Sequence, residues 1–139
     1  MNTTQFASLC GQAAASLGLS DPEALSRGEL VHHNGVWLCA QPVDRPFDGV
    51  AFVLDVGPLP STQRETVLEA VLSQQTAWMG NLCGHFHLSE DGSRLLFAAV
   101  VPVEGEVTGD DLATTIQGWC EVVQAWRQVQ VPLAEEATA

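Results

Sequence analysis

Residues 29–43 read Glu-Leu-Val-His-His-Asn-Gly-Val-Trp-Leu-Cys-Ala-Gln-Pro-Val, and this stretch decides the fold. Asn34-Gly35 sits between Glu29–His33 and Val36–Val43. A two-residue connection between strands takes a type I′ turn with both central residues at positive φ, which Asn and Gly tolerate best. The turn then fixes the register, pairing His33 with Val36, His32 with Trp37, Val31 with Leu38 and Leu30 with Cys39. Side chains alternate along a strand, so Leu30, His32, Trp37 and Cys39 share one face, and Val31, His33, Val36 and Leu38 the other. Both faces carry apolar groups, and the hairpin alone does not say which one meets solvent.

Working outward, Val50–Val56 reads as a third strand after the turn region Asp44–Gly49, and Pro58 and Pro60 are expected to end it. Thr62 with Glu65 has the spacing of a capping box and opens a helix expected to run to about Gly80. Its apolar positions, Val67, Leu68, Val71, Leu72, Trp78 and Met79, make a stripe wider than one contact face needs. Two strands are predicted next, Leu82–Glu90 and Arg94–Val103, joined at Asp91-Gly92. Thr108 with Asp111 opens a last helix whose stripe is Leu112, Ile116, Trp119, Val123 and Trp126. Before the hairpin, Phe6, Leu9, Ala13 and Leu17 recur at helical spacing, capped by Thr3 or Thr4 and stopped at Gly18. The order is helix–β–β–β–helix–β–β–helix, an α+β layer fold with a mostly antiparallel sheet. One domain over residues 1–131 is expected, followed by a disordered acidic tail over 132–139.

Charge narrows the function classes. The chain carries 17 acidic residues against five Arg and no Lys, a net charge of −12. Such a field repels nucleic acid and anionic membranes, whose binding needs a Lys/Arg surface, and suits a neutral or basic partner. The start, Met1-Asn2-Thr3-Thr4-Gln5, has no basic segment leading into an apolar stretch, and the longest apolar run, Leu95–Pro102, is far too short to span a bilayer. Cys10, Cys39, Cys83 and Cys120 are scattered through apolar segments and form no C-x-x-C, as expected of buried free thiols in a reducing cytosol.

A search for chemistry returns little. Cys83, His85 and His87 fall on one face of a strand, and with His32 or His33 they could hold zinc in a small metal- or ligand-binding domain. Phe86 and Leu88 point the other way, so an ordinary amphipathic strand explains the pattern equally well. A catalytic thiolate needs an electropositive setting that this chain lacks. Asp110-Asp111 is a helix start, Glu135-Glu136 belongs to the tail, and no phosphate-binding glycine loop is present. The sequence therefore reads as a binding protein without catalytic residues, cofactor or metal.

With the element order in place, the stretch Gly84–Val103, GHFHLSEDGSRLLFAAVVPV, resembles the type III secretion chaperones of class I, the Tir-chaperone (CesT) family. The resemblance lies in a strand, an acidic turn with Gly, and an apolar strand ending at a Pro-centred segment before the last helix. The opening helix with Phe6 and Leu9, ended by Gly18-Leu19, resembles the family's usual start, and the likeness covers residues 3–128. It implies a homodimer that binds the N-terminal segment of a secreted effector in extended form, with the secretion apparatus ATPase as a further partner. The dimer would be built on Val67, Leu68, Val71, Leu72, Trp78 and Met79 of the second helix and on His85 and His87. A client strand adding to a sheet edge would place side chains in apolar pockets, for which Phe6, Leu9, Ala13, Leu30, Trp37, Phe52 and Leu54 are the candidates.

Overall fold

The computed structural model describes residues 1–45, 47–82 and 84–138, and for 76–82 and 129–138 it describes the backbone alone. Its elements run α1 (Thr3–Leu17), β1 (Val31–His33), β2 (Val36–Val43), β3 (Gly49–Pro58), α2 (Arg64–Leu82), β4 (Gly84–Leu88), β5 (Arg94–Pro102) and α3 (Gly109–Thr138). This is the expected α+β order. All neighbouring strands are antiparallel, in the spatial order β1-β2-β3-β5-β4.

The hairpin forms as its turn residues require. Asn34 and Gly35 take φ +50° and +79°, and His33, His32 and Val31 pair with Val36, Trp37 and Leu38. Leu30 stops short of the strand, so the expected Leu30–Cys39 pair is not formed.

One face of the sheet is the core. Val31, Val36, Leu38, Ala40, Phe52, Leu54, Phe86 and Phe97 are buried there against α3, whose Leu112, Ile116, Trp119, Val123 and Trp126 are buried in turn. Trp119 packs against Phe52 with ring centroids 5.2 Å apart, and Trp126 lies 5.6 Å from Phe86. Burying rings of this size stabilises the fold at about 25 cal/mol per Å2 of apolar area removed from water. α1 lies on α3 and adds Phe6, Cys10, Ala13 and Ala14 to the same core.

Several boundaries differ from the sequence reading, each for a local reason. Asn2, rather than Thr3 or Thr4, caps α1: its side chain accepts from the Gln5 N–H while the Gln5 side chain accepts from the Asn2 N–H. No Thr62–Glu65 capping box opens α2, because Gln63 sits at φ +68° and the helix begins after it, at Arg64. α2 continues to Leu82, so β4 starts at Gly84. The box at α3 is present, with the Asp111 N–H donating to Thr108 Oγ1 and the Thr108 N–H to the Asp111 carboxylate. α3 extends to Thr138, past the Pro132 at which the sequence reading starts a tail.

β3 outruns its predicted end and contains a bulge. Asp55 pairs with Leu96 and Gly57 with Leu95, which leaves Val56 as the extra residue. Pro58, expected to end the strand, pairs with Arg94. A bulge removes ladder partners locally, and β2 pairs with β3 only as far as Leu54. Arg127 of α3 fills the gap: its guanidinium donates to the carbonyls of Val56 (2.7 Å), Asp55 (2.9 Å) and Gly35 (2.7 Å). One side chain thereby ties the bulge and the hairpin turn to the last helix.

Candidate docking surface

Among the described residues, no helix packs on the second sheet face. Register sets its side chains in rows: His32 beside Trp37, Cys39 beside Val53, Val53 beside Ala98, Ala98 beside His85, and Leu96 beside His87. The middle of this face is small and apolar, with Ala51, Val53, Leu96, Ala98 and Val100 half-buried by their neighbours. Asp55 and Arg94 bound it at one end through a bidentate ion pair of 2.9 and 2.6 Å. The hairpin ambiguity is thus resolved: the row carrying His32, Trp37 and Cys39 is the outer one.

Two large apolar side chains stand out of the surface beside the β1 edge, Leu30 at 64% exposure and Trp37 at 48%. The Trp37 ring lies 4.9 Å from His32. The turn beside them is held from behind, since Arg127 takes the Gly35 carbonyl and Gln124 Nε2 donates to that of Asn34. His33, on the inner face, has its Nε2 2.7 Å from Gln117 Oε1. The turn is therefore anchored to α3 while the outer side chains of the edge are accessible.

Two more large apolar side chains are exposed on the elements at the opposite edge. Leu72 of α2 is 68% exposed and Leu88 at the end of β4 is 40% exposed. His85 and His87 project from the open face of β4 with ring centroids 4.5 Å apart. Burial, and then the charge of His85, lowers the His87 pKa, so its ring stays neutral to a lower pH than a free imidazole.

The sequence-selected residues divide accordingly. Of the proposed client contacts, Phe6, Ala13, Phe52 and Leu54 are buried in the monomer core, Leu9 is half-buried against it, and Leu30 and Trp37 reach the surface. Of the proposed dimer contacts, Val67 and Val71 are buried within the chain, Leu68 is half-buried, and Leu72, His85 and His87 are exposed. The side chains of Trp78 and Met79 lie outside the described residues, as does Cys83. The wide stripe on α2 has a simple origin: part of it packs against β4 and α3 of the same chain.

Among the described residues, no three His, Cys, Asp or Glu side chains come together as a metal site, and His33 is held on the inner face away from His85 and His87. Cys10 and Cys120 are buried, and burial pushes both thiols up to about 11. Cys39, half-buried on the open face, is raised as well by burial. None of these thiols is primed as a nucleophile. No described helix is long and apolar enough to cross a membrane.

Comparison with known proteins fixes the fold. A chain of the ExsC–ExsE complex shares it. That chain superposes with a TM-score of 0.71 at 14% identity, covering 92% of this chain and 95% of its own length. A chain of the HopA1–SchA chaperone–effector complex matches with a TM-score of 0.52 at 15% identity over 91% of this chain and 95% of its own. No protein-family model and no curated protein sequence matches the chain. At such identities the likeness resides in the path of the backbone and the layering of helices on one sheet face. The residues that decide binding have to be taken from this chain's own surface.

Proposed function

We propose that this protein is a type III secretion chaperone that holds the N-terminal segment of a secreted effector in extended form. The observation that carries the reading is the whole-length match to a chain of the ExsC–ExsE complex. The second match, to a chaperone–effector complex, supports the same class. Two features of this chain suit the task. A sheet edge flanked by Leu30 and Trp37 offers backbone groups and apolar contacts to an unfolded segment. A surface with a net charge of −12 favours a neutral or basic client.

The chaperone acts as a homodimer in this reading. Leu72 and Leu88, with His85 and His87 nearby on β4, form the seam, and two-fold symmetry brings each patch against its own copy. The client then wraps both protomers and gains enough area to offset the ~2–5 kcal/mol or more that ordering a disordered segment costs. The secretion ATPase is a further partner at hand-over, and the cytoplasm is the compartment. The scheme needs no nucleotide in the chaperone itself.

The test combines mass and mapping. Light scattering should give twice the 14.8 kDa chain mass. Affinity purification from the native bacterium should recover a secreted protein bound through its N-terminal region. A monomer that co-purifies with no secreted protein would refute the proposal.

A further inference from the structure

The two edges of the sheet are finished differently. Among the described residues, β4 lies at one edge, beside β5, and β1 lies at the other, beside β2. In an antiparallel pair, successive residues alternate between facing the neighbouring strand and facing away from it. On β4 the outward-facing group at mid-strand is Phe86, and α2 covers it. The Phe86 N–H donates to Gln75 Oε1 at 2.6 Å, and Gln75 Nε2 donates to the Phe86 carbonyl at 3.2 Å. A primary amide carries one acceptor and one donor side by side, the pattern that a residue of an added strand would present. Gln75 therefore occupies the position of the missing neighbour.

Among the described residues, β1 has no such cover. A two-residue hairpin joins the residues flanking its turn by backbone bonds, so His33 and Val31 face β2 and His32 turns its N–H and C=O outward. Among the described residues, no hydrogen bond to the His32 backbone is present. An unpaired edge is a template for an extended chain, and proteins close such edges where pairing is unwanted.

We propose that Gln75 is an edge guard: its amide closes β4 to strand addition, so that an extended peptide joins this sheet at β1. The inference rests on the chaperone reading and deepens it by naming the edge and the residue that selects it. The preferred peptide alternates apolar side chains, which meet Leu30 and Trp37, and is neutral or basic, since Asp21, Glu23 and Glu29 lie in the segment leading into β1. Arg27 pairs with all three of these carboxylates and is the cation nearest the edge in sequence. The guard also bears on the dimer. With Phe86 occupied, two β4 strands do not pair by their backbones, and the seam is made by side chains.

Amide hydrogen exchange on the full-length protein tests this directly, using the wild type, Gln75→Leu and Gln75→Glu. Leu removes both partners of Phe86, whereas Glu keeps the acceptor for the N–H and loses the donor to the carbonyl. The probe is a short peptide of alternating Thr and Val bracketed by Lys and N-methylated along one edge, which prevents it from stacking on itself. In the wild type the Phe86 amide should be protected, and the probe should slow exchange at His32 roughly tenfold while leaving Gly84 and Leu88 unchanged. In Gln75→Leu the Phe86 amide should exchange roughly tenfold faster. Gln75→Glu should retain part of the Phe86 protection, which controls for a variant that merely loosens α2. Probe protection on β4 of the wild type, or unchanged Phe86 exchange in Gln75→Leu, would overturn the guard. Absence of protection at His32 would overturn the choice of β1, while the mass and co-purification results decide the chaperone reading separately.

Discussion

Replacing Arg127 with Met keeps most of the aliphatic stem and removes every donor. In the native protein the guanidinium serves three carbonyls at 2.7, 2.9 and 2.7 Å, those of Val56, Asp55 and Gly35. The Gly35 carbonyl belongs to an exposed turn, so water can replace the lost donor there at little cost. Val56 is buried at the bulge, where neither β2 nor β5 offers it a partner, and Asp55 is half-buried beside it. A buried carbonyl left unpaired costs about 1–3 kcal/mol, and a charge-assisted bond to a half-buried one about 1 kcal/mol or more. The sum is a destabilisation of about 2–4 kcal/mol, equivalent to roughly 6–12 °C in Tm for a domain of this size. Urea denaturation followed by Trp fluorescence measures it. Arg127→Lys should recover less than half, because one ammonium cannot span three carbonyls lying on two separate segments. A loss below about 0.5 kcal/mol in Arg127→Met would refute the reasoning, since that is the range of an ordinary surface substitution.

Further outcomes follow from other parts of the molecule. Gly84→Ala should cost about 1–3 kcal/mol, because a methyl there overlaps the ring of the buried Phe97; thermal unfolding at an unchanged midpoint would contradict that packing. Burial raises the Cys10 and Cys120 thiols from 9.0 to about 11, so the unfolded chain releases these protons first. Their contribution to stability is complete below pH 9 and is lost as pH rises through the folded value, and the Cys10→Ala/Cys120→Ala double variant should flatten that decline in denaturation midpoints between pH 9 and 11. Leu72→Asp should halve the mass seen by light scattering with little change in circular dichroism, since a carboxylate in an apolar seam is desolvated without a partner. Trp37→Ala should weaken client binding roughly tenfold or more in calorimetry while leaving the fold intact, as expected for an exposed aromatic anchor.

The order of elements was legible because its signals are local. Asn34-Gly35 has one favourable geometry, and the 3.6-residue stripe ending at Trp126 belongs to a helix whatever the rest of the chain does. The faces of the hairpin were not legible, because Trp37 and Leu38 are both apolar and only the packing of α3 on Leu38 separates them. The same long-range packing buries Phe6, Ala13, Phe52 and Leu54 in the core of the chain and leaves Leu30 and Trp37 at the surface. The bulge at Val56 was missed because the group that satisfies its unpaired carbonyl, the Arg127 side chain, lies 71 residues away. Gly57, at φ +140°, was the local hint of an irregular strand. The Gln75–Phe86 contact carries no sequence signature either, since a single Gln on a helix is ordinary until the helix is docked.

The position of α3 in the chain has a consequence for biosynthesis. All five strands are translated before the helix that covers their apolar face, and Trp119, Trp126 and the Arg127 clamp emerge later still. While the nascent chain is attached to the ribosome, the completed sheet has its inner face open and its hairpin turn untied. Translation proceeds at about 5–20 residues per second, so this interval lasts seconds, long compared with collapse and with encounters between neighbouring chains. A ribosome stalled before residue 109 would thus display a sticky sheet, an apolar surface that any holdase in the cell could bind.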